Sequence, residues 1–409
     1  MLDFQAYPIF ALLSDNAKEF LFQKASLHRF SFQSLKKIID MARDVEMWNE
    51  GTISSLWPLD SDKLTAKNIF QIIEVNFQKL ASKEKDYSGF TACIENLETG
   101  LTYSQIPSND IILGSCPVSS PKTRCCKLLT LDAIRNCGFQ CTYCSIQSFF
   151  KDRRILIEAN LKQKLKNLTI DPAEIYHIGT GQSSDSLYFE NREEILDTLI
   201  DFAAANPNVI LELKSKSNKL SVLAAKKIPR NLLCTWSVNT PAIISHEEHQ
   251  TASLGDRLGA AERFAKKGNL VGFHFHPIVF YKNWENEYTS LAANILSRFN
   301  PSQIALISFG TVTFIKNLIP KIRKRRIQTK IHQMPFIETG GKLSYPLEIR
   351  QRLFSALYDA FKPWHGKVYF YLCMEDASLW KPVFGYEYRN NEEFEKEMKA
   401  NYIRKIRLV

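Results

Sequence analysis

The sequence predicts an α/β protein, a partial (β/α)6 TIM-type barrel with an N-terminal mainly helical extension, on three observations. From Lys127 onward, short apolar runs alternate with longer amphipathic ones, the pattern of βα repeats around a parallel sheet. Polar and ligand-type residues gather just after nearly every apolar run, and in parallel βα proteins that rim is where ligands bind. Before about residue 110 the apolar spacing is helical, with no motif of obvious chemistry.

In chain order, Ser34–Arg43 and Leu64–Leu80 are the expected helices of the extension, separated by the turn-prone Asn49-Glu50-Gly51. The expected strands are Lys127–Ala133, Glu174–Ile178, Val209–Leu213, Leu232–Val238, Leu270–Phe275 and Gln303–Ser308. Between them lie helical stretches such as Arg154–Leu165, Arg192–Ala204, Leu254–Lys267 and Trp284–Phe299. A doubly wound open sheet has the same spacing, and the polar rim favours the barrel. Three segments follow: an extension of unknown role at 1–110, a core barrel at 111–310, and a region completing the fold at 311–409.

Hydrophobic residues make up 45% and charged residues 23% of the 409, ordinary for a globular protein. The first residues carry Asp3, Asp15, Lys18 and Glu19, unlike a signal peptide, and no apolar stretch is long enough to span a membrane. The expected location is the cytoplasm, with no membrane partner. There thiols stay reduced, and grouped cysteines bind metal or do chemistry. Of nine cysteines, six fall between Cys116 and Cys144, whereas Cys93 reads as a buried small side chain. The net charge of +10 suits a polyanion such as nucleic acid. The densest basic run, Lys321–Arg326, reads as the solvated end of a helix.

The cysteine loop runs Asn136-Cys137-Gly138-Phe139-Gln140-Cys141-Thr142-Tyr143-Cys144. Cysteines at spacings of four and three, leaving a strand, can fold around one side of a cuboidal iron–sulfur cluster. Three thiolates leave one iron without a protein ligand, which is the vacancy cofactor chemistry requires. Gly138 eases the tight loop. The structural alternative is tetrahedral zinc, with Cys125 or Cys126 as fourth ligand.

This spacing resembles the signature of the radical S-adenosylmethionine superfamily, and the aromatic Tyr143 before the last cysteine matches its pattern. The resemblance implies a [4Fe–4S] cluster on Cys137, Cys141 and Cys144. It also implies S-adenosylmethionine at the open iron, its reductive cleavage to a 5′-deoxyadenosyl radical, and hydrogen abstraction from a substrate. Tyr143 is then expected against the adenine, and an electron donor such as flavodoxin or ferredoxin as a partner.

From Cys137 to about Gly385 the chain is similar to the spore photoproduct lyase branch. The similar segments are Ile178-Gly179-Thr180-Gly181, Ser184-Asp185-Ser186, Lys214-Ser215-Lys216, Trp236-Ser237-Val238-Asn239, Val271–Ile278 and Leu372-Cys373-Met374-Glu375 through Trp380. The resemblance implies cofactor contacts from Ser184, Lys216 and Ser237, with His276 at the adenine or substrate pocket. Lys214, two residues away on the same strand face, is the rival of Lys216. Two departures stand out: Gln182 falls where that branch has a hydrogen-donating cysteine, and Ser145 where it has a tyrosine. An amide cannot return a hydrogen atom to a carbon radical as a thiol does. Cys373 is the candidate donor if it reaches the barrel mouth.

Cys116, Cys125 and Cys126 could form a second metal site or a redox pair. His274 and His276 share a strand face, as metal-binding pairs do in barrel hydrolases. His246-Glu247-Glu248-His249 lacks the metalloprotease spacing and is expected to start a helix. The function predicted is a radical S-adenosylmethionine enzyme acting on nucleic acid, damaged DNA in particular. The alternatives are a non-catalytic metal- or cluster-bearing nucleic-acid-binding protein, a radical enzyme on another substrate, and a metallohydrolase using the His274 and His276 pair.

Overall fold

The computed structural model describes residues 4–92, 100–107, 112–116, 122–150, 152, 154–339 and 341–408; Cys93 lies outside them. All six expected strands form. The main sheet, in chain order, comprises β1 (Leu113–Ser115), β2 (Leu129–Leu131), β3 (Tyr176–Thr180), β4 (Val209–Ser215), β5 (Leu232–Ser237), β6 (Val271–Ile278), β7 (Ile304–Thr311) and β8 (Tyr369–Leu372). Their order in space is their order in sequence. The β1 strand runs antiparallel to β2, and β2 through β8 are parallel.

The sheet curls into a half-barrel. Its margins meet where the N–H of Arg124 donates to the carbonyl of Glu375 (3.3 Å) and that of Ala377 to the carbonyl of Lys122 (3.1 Å). Thr123 lies opposite Asp376 in antiparallel register, joining the segment that enters β2 to the one that leaves β8. Helices Ile195–Ala205, Leu254–Ala265, Trp284–Arg298 and Leu347–Ala360 separate successive strands. Trp236 of β5 meets Phe264 edge-on, and Phe273 of β6 meets Phe299. The strict alternation of a strand then turns Thr235, Ser237, His274 and His276 to the concave face.

Two expectations are corrected. Arg154–Leu165 is not one helix: Ile155–Glu158 is a strand and Leu161–Lys166 a short helix. Ile155 and Ile157 are fully buried, and their strand pairs with Tyr103–Ile106 and Ile134–Arg135, so strand pairing overrides the helical spacing. The seventh parallel strand, β8, was not anticipated. Its four residues, Tyr-Phe-Tyr-Leu, are all buried and carry the aromatic enrichment of strands, though the run is short.

By contacts the chain forms two compact units. One comprises Thr99–Val279, Asn283–Val312 and Leu347–Val409, and contains the half-barrel. The other comprises Met1–Glu98, Phe280–Lys282 and Thr313–Pro346. In this second unit helices Asp15–Leu27, Phe32–Met47 and Ala66–Ala81 each start at a hydroxyl cap, Ser14, Ser31 and Thr65, which satisfies an otherwise orphaned amide. The basic run ends helix Leu318–Arg323, but Arg323 is not part of a solvated face. Its guanidinium holds Asp44 at 2.6 and 2.8 Å, and His332 bonds the same carboxylate at 3.1 Å. Arg323 and His332 therefore hold Asp44 below the usual carboxylate range although burial alone would raise it.

A tight contact tests the sheet. A Cβ on Gly272 would lie 2.8 Å from Leu306 Cγ and 3.0 Å from Thr235 Cγ2, on the two neighbouring strands. Gly272→Ala should lower stability by about 1–3 kcal/mol through overpacking. Urea unfolding measures it, and an unchanged midpoint would contradict this packing.

Candidate active site

The cysteine loop leaves β2 at the strand ends where the rim residues gather. It is zipped to a second segment of the same unit. Gln140–Cys141 forms a two-residue antiparallel pair with Glu248–His249, Cys141 opposite Glu248. The N–H of Thr142 donates to the carbonyl of Glu247 at 2.9 Å. The hydroxyls of Thr142 and Tyr143 donate to the carboxylates of Glu247 and Glu248. Glu248 is ion-paired with Arg257 at 2.6 Å, their side chains 1% and 0% exposed. Arg257 also donates to the carbonyls of Ser237 and Ala252, each at 2.9 Å. A buried charge pair thus ties the loop to the end of β5.

His246–His249 therefore does not start a helix. Helix Pro241–Glu247 begins at the Thr240 cap and ends there, and Glu248–His249 is extended because it pairs with the loop. Glu247, Glu248 and Arg257 are the site residues that sequence reasoning missed. Two adjacent acids next to a later arginine give no signal until the fold buries them together.

Gly138 has a physical reason beyond its freedom to turn: a Cβ there would lie 2.4 Å from the Tyr188 ring. The N–H of Phe139 points at the Cys137 sulfur at 3.4 Å. Burial, reinforced by Asp185, raises the Cys137 thiol above its usual value. Cys141 is pushed up to about 12 by burial, against the pull of Lys216 and Arg257. Iron binding must displace these protons, and those two cations favour the thiolate that results.

Of the other rim residues, Ser184 donates to the carbonyl of Asn136 at 2.6 Å, steadying the residue before Cys137. Asp185 is buried and receives the N–H of Lys216 (2.7 Å) and the hydroxyl of Ser215 (2.8 Å). Lys216 lies over the Tyr143 ring, 5.7 Å from its centroid, and Glu248 raises it although burial opposes. Its rival Lys214 lies near His274, His276 and Cys373, and Lys216 is near His276 as well. Ser237 ends β5 and is buried. Gln182 folds toward Gly179, and its amide nitrogen is buried with no hydrogen-bond partner among the described residues. Ser145 opens a short 3-10 turn after the last cysteine.

A polar chain crosses the concave face. His177 Nε2 lies 2.8 Å from Glu212, and His274 Nε2 lies 2.6 Å from its other oxygen. His274 Nδ1 meets the Ser308 hydroxyl at 2.5 Å, which is 3.1 Å from His276 Nε2. Both nitrogens of His274 are thus taken, leaving no lone pair for a hydrolytic metal. Cys373 follows β8 and donates its N–H to the carbonyl of Phe309 at 2.8 Å. The antiparallel seam brings Cys126 near Cys373, and burial pushes the Cys373 thiol up to about 12. Among the described residues, no three His, Cys, Asp or Glu side chains are arranged to hold one metal ion. A cuboidal cluster instead spreads three thiolates over three irons, which the loop's donor set fits.

The family described as spore photoproduct lyase matches residues 130–336, just over half of the chain. The chain belongs to the spore photoproduct lyase family. The spore photoproduct lyase of Clostridium acetobutylicum is 26% identical over 234 residues, 54% of this chain and 70% of that protein. That of a Geobacillus species is 25% identical over 202 residues, 48% of this chain and 59% of that protein. A solved spore photoproduct lyase complexed with dinucleoside spore photoproduct superposes with a TM-score of 0.57 at 19% identity, covering 66% of this chain and 82% of that one. Another, with AdoMet bound as well, gives 0.56 at 19% identity, with the same coverage of both chains. These structures share the fold. As a spore photoproduct lyase family member the chain is a radical S-adenosylmethionine enzyme, with a [4Fe–4S] cluster and S-adenosylmethionine as cofactors.

The Glu248–Arg257 pair makes the site's stability testable. Removing one partner of a buried pair strands the other charge, so Arg257→Met should cost about 3–5 kcal/mol. Burial alone would raise Glu248, yet Arg257 and Lys216 hold it below the ordinary 4.5. Its contribution is therefore whole above pH 4.5 and is lost as pH falls through the lower folded value. Urea unfolding across pH 7 to 3 should show that acid limb, and Glu248→Gln should flatten it.

Proposed function

We propose that this chain acts on a damaged nucleoside in DNA, with the spore photoproduct as the lesion. What supports this most is the cysteine loop held at the same strand ends as Lys216, Ser237 and His276, in a member of this family. The net charge of +10 suits a nucleic-acid partner. Among the described residues no helix is long and apolar enough to cross a membrane; we place the enzyme in the cytoplasm, with a flavodoxin or ferredoxin as electron donor.

Cys137, Cys141 and Cys144 would hold the cluster. When bound, the cluster and S-adenosylmethionine supply the 5′-deoxyadenosyl radical that takes a hydrogen atom from the lesion. The Lys216 ammonium offers its charge to the methionyl carboxylate, and Ser184 and Ser237 offer hydroxyls to polar atoms of the cofactor. Tyr143, held by Glu248, presents a ring face to the adenine, and His276 lines the same pocket. Gln182 has no S–H to give. We assign hydrogen return to Cys373: its S–H bond breaks, a C–H bond forms on the product radical, and the unpaired electron stays on sulfur. Burial keeps that thiol protonated at neutral pH, as donation of a hydrogen atom requires. The segments 1–110, 111–310 and 311–409 we keep as extension, radical core and completing region.

The test is anaerobic reconstitution, then incubation with S-adenosylmethionine, a reductant and dinucleoside spore photoproduct, with undamaged dinucleotide as control. The expected products are 5′-deoxyadenosine and repaired thymidines from the lesion alone. Cys141→Ala should retain little iron and form neither. Lesion turnover with full iron content in that variant would reject the proposal. Cys373→Ala should still cleave S-adenosylmethionine but lose at least tenfold in repaired product.

A further inference from the structure

The polar chain on the concave face has a direction. Glu212 is fully buried, and its carboxylate can only accept. The three neighbours around it, His177 Nε2, His274 Nε2 and the Thr235 hydroxyl (2.7 Å), must all donate. His274 thereby carries its proton on Nε2. Burial, with Lys214 nearby, pushes His274 down to about 4, so it is neutral at physiological pH. Its Nδ1 is then a bare acceptor, and the Ser308 hydroxyl donates to it at 2.5 Å. With its only hydrogen committed, Ser308 can only accept from His276 Nε2 at 3.1 Å. That leaves the proton of neutral His276 on Nε2 and its Nδ1 a lone pair, with no protein partner among the described residues.

We propose that Glu212, His274 and Ser308 are positioning residues that lock His276 in one tautomer. Its Nδ1 then accepts a hydrogen bond from a hydroxyl or amino group of a nucleoside bound at the barrel mouth. The nucleoside class rests on the function proposed above; the tautomer does not. Two sources share this chemistry, the adenosyl group of S-adenosylmethionine and the nucleosides of the lesion.

His274 and Ser308 sit in register, so their contact follows from the sheet itself. His274 of β6 pairs with Ser308 of β7 on one side and Ser237 of β5 on the other. His276 lies two residues further along the same face. Gly310 is the next inward position of β7, and a Cβ there would press within 3.2 Å of the His276 ring. The ring is thereby confined on one side as well as bonded at Nε2.

The experiment uses the reconstituted holoenzyme with its cluster oxidised and its histidines labelled with nitrogen-15. His274 and His276 should both appear as neutral Nε2–H tautomers between pH 6 and 8. Ser308→Ala should release His276 from that form while His274 keeps it. Dissociation constants for S-adenosylmethionine and for dinucleoside spore photoproduct are measured in parallel. One of them should rise about tenfold in Ser308→Ala, the loss of one well-placed hydrogen bond of ~1.4 kcal/mol. Which constant moves identifies the nucleoside. His276→Asn places an amide oxygen near the position of Nδ1, and should retain affinity and make Ser308→Ala silent. A wild-type His276 carrying its proton on Nδ1 overturns the relay. A Ser308→Ala protein that binds both ligands as wild type overturns the binding role, and it does so whether or not the lesion is turned over.

Discussion

The cysteine loop depends on one buried ion pair. Three thiols on a short irregular loop do not hold a geometry by themselves, because Gln140–Cys141 is only two residues of strand. What fixes the loop is Glu248, which opposes Cys141 in register, binds the Tyr143 hydroxyl and is itself held by Arg257. Arg257 in turn spends two further hydrogen bonds on backbone carbonyls, one of them at Ser237. The loop, the end of β5 and helix Leu254–Ala265 are therefore one rigid piece. The same carboxylate lies near Lys216, so the charge that anchors the loop also sets the field at the rim.

That field is divided between two lysines on one strand face. Lys216 shares its surroundings with Tyr143, Glu248 and Cys141, Lys214 with His274 and Cys373, and both lie near His276. Lys214 projects inward from β4, and Lys216, two residues on, continues that face just past the strand's end. A barrel interior is ordinarily filled with branched apolar side chains. Here a layer of it is His177, Glu212, Thr235, His274 and Ser308, all buried. Such a layer is tolerable only because nearly every polar atom in it has a partner, and the order it imposes ends at His276, the member of the chain that is not fully buried.

Much of this was legible in the sequence, for identifiable reasons. The six apolar runs are the parallel strands because both faces of a covered parallel sheet are buried, and continuous runs such as Val209–Leu213 say so directly. The cysteine spacing is local, so the loop could be read without tertiary knowledge. Glu248 and Arg257 could not be. They lie more than a hundred residues after the loop, and only the fold shows that the pair faces Cys141 rather than solvent. Ile155–Glu158 was misread because its apolar residues also fit helical spacing, and its pairing partners are distant in sequence or short. The strand β8 was missed because four aromatic and aliphatic residues beyond a long excursion do not announce a return to the sheet.

The half-barrel's seam is the last constraint on the site. Glu375 accepts from the N–H and hydroxyl of Thr311 at 2.9 and 2.8 Å and from Arg350 at 2.9 Å. Its own carbonyl receives Arg124 across the seam. One residue thus fixes the end of β7, the exit of β8 and the entry to β2. Cys373 lies two residues before Glu375, with Lys214 and the Cys116, Cys125 and Cys126 thiols as neighbours, so this clamp and its backbone bond to Phe309 together set its height at the mouth. For the hydrogen return proposed above, the thiol must approach a carbon radical without being free to wander toward water. Placing it between a backbone bond to Phe309 and a carboxylate clamp meets that requirement, whereas a mobile loop would not.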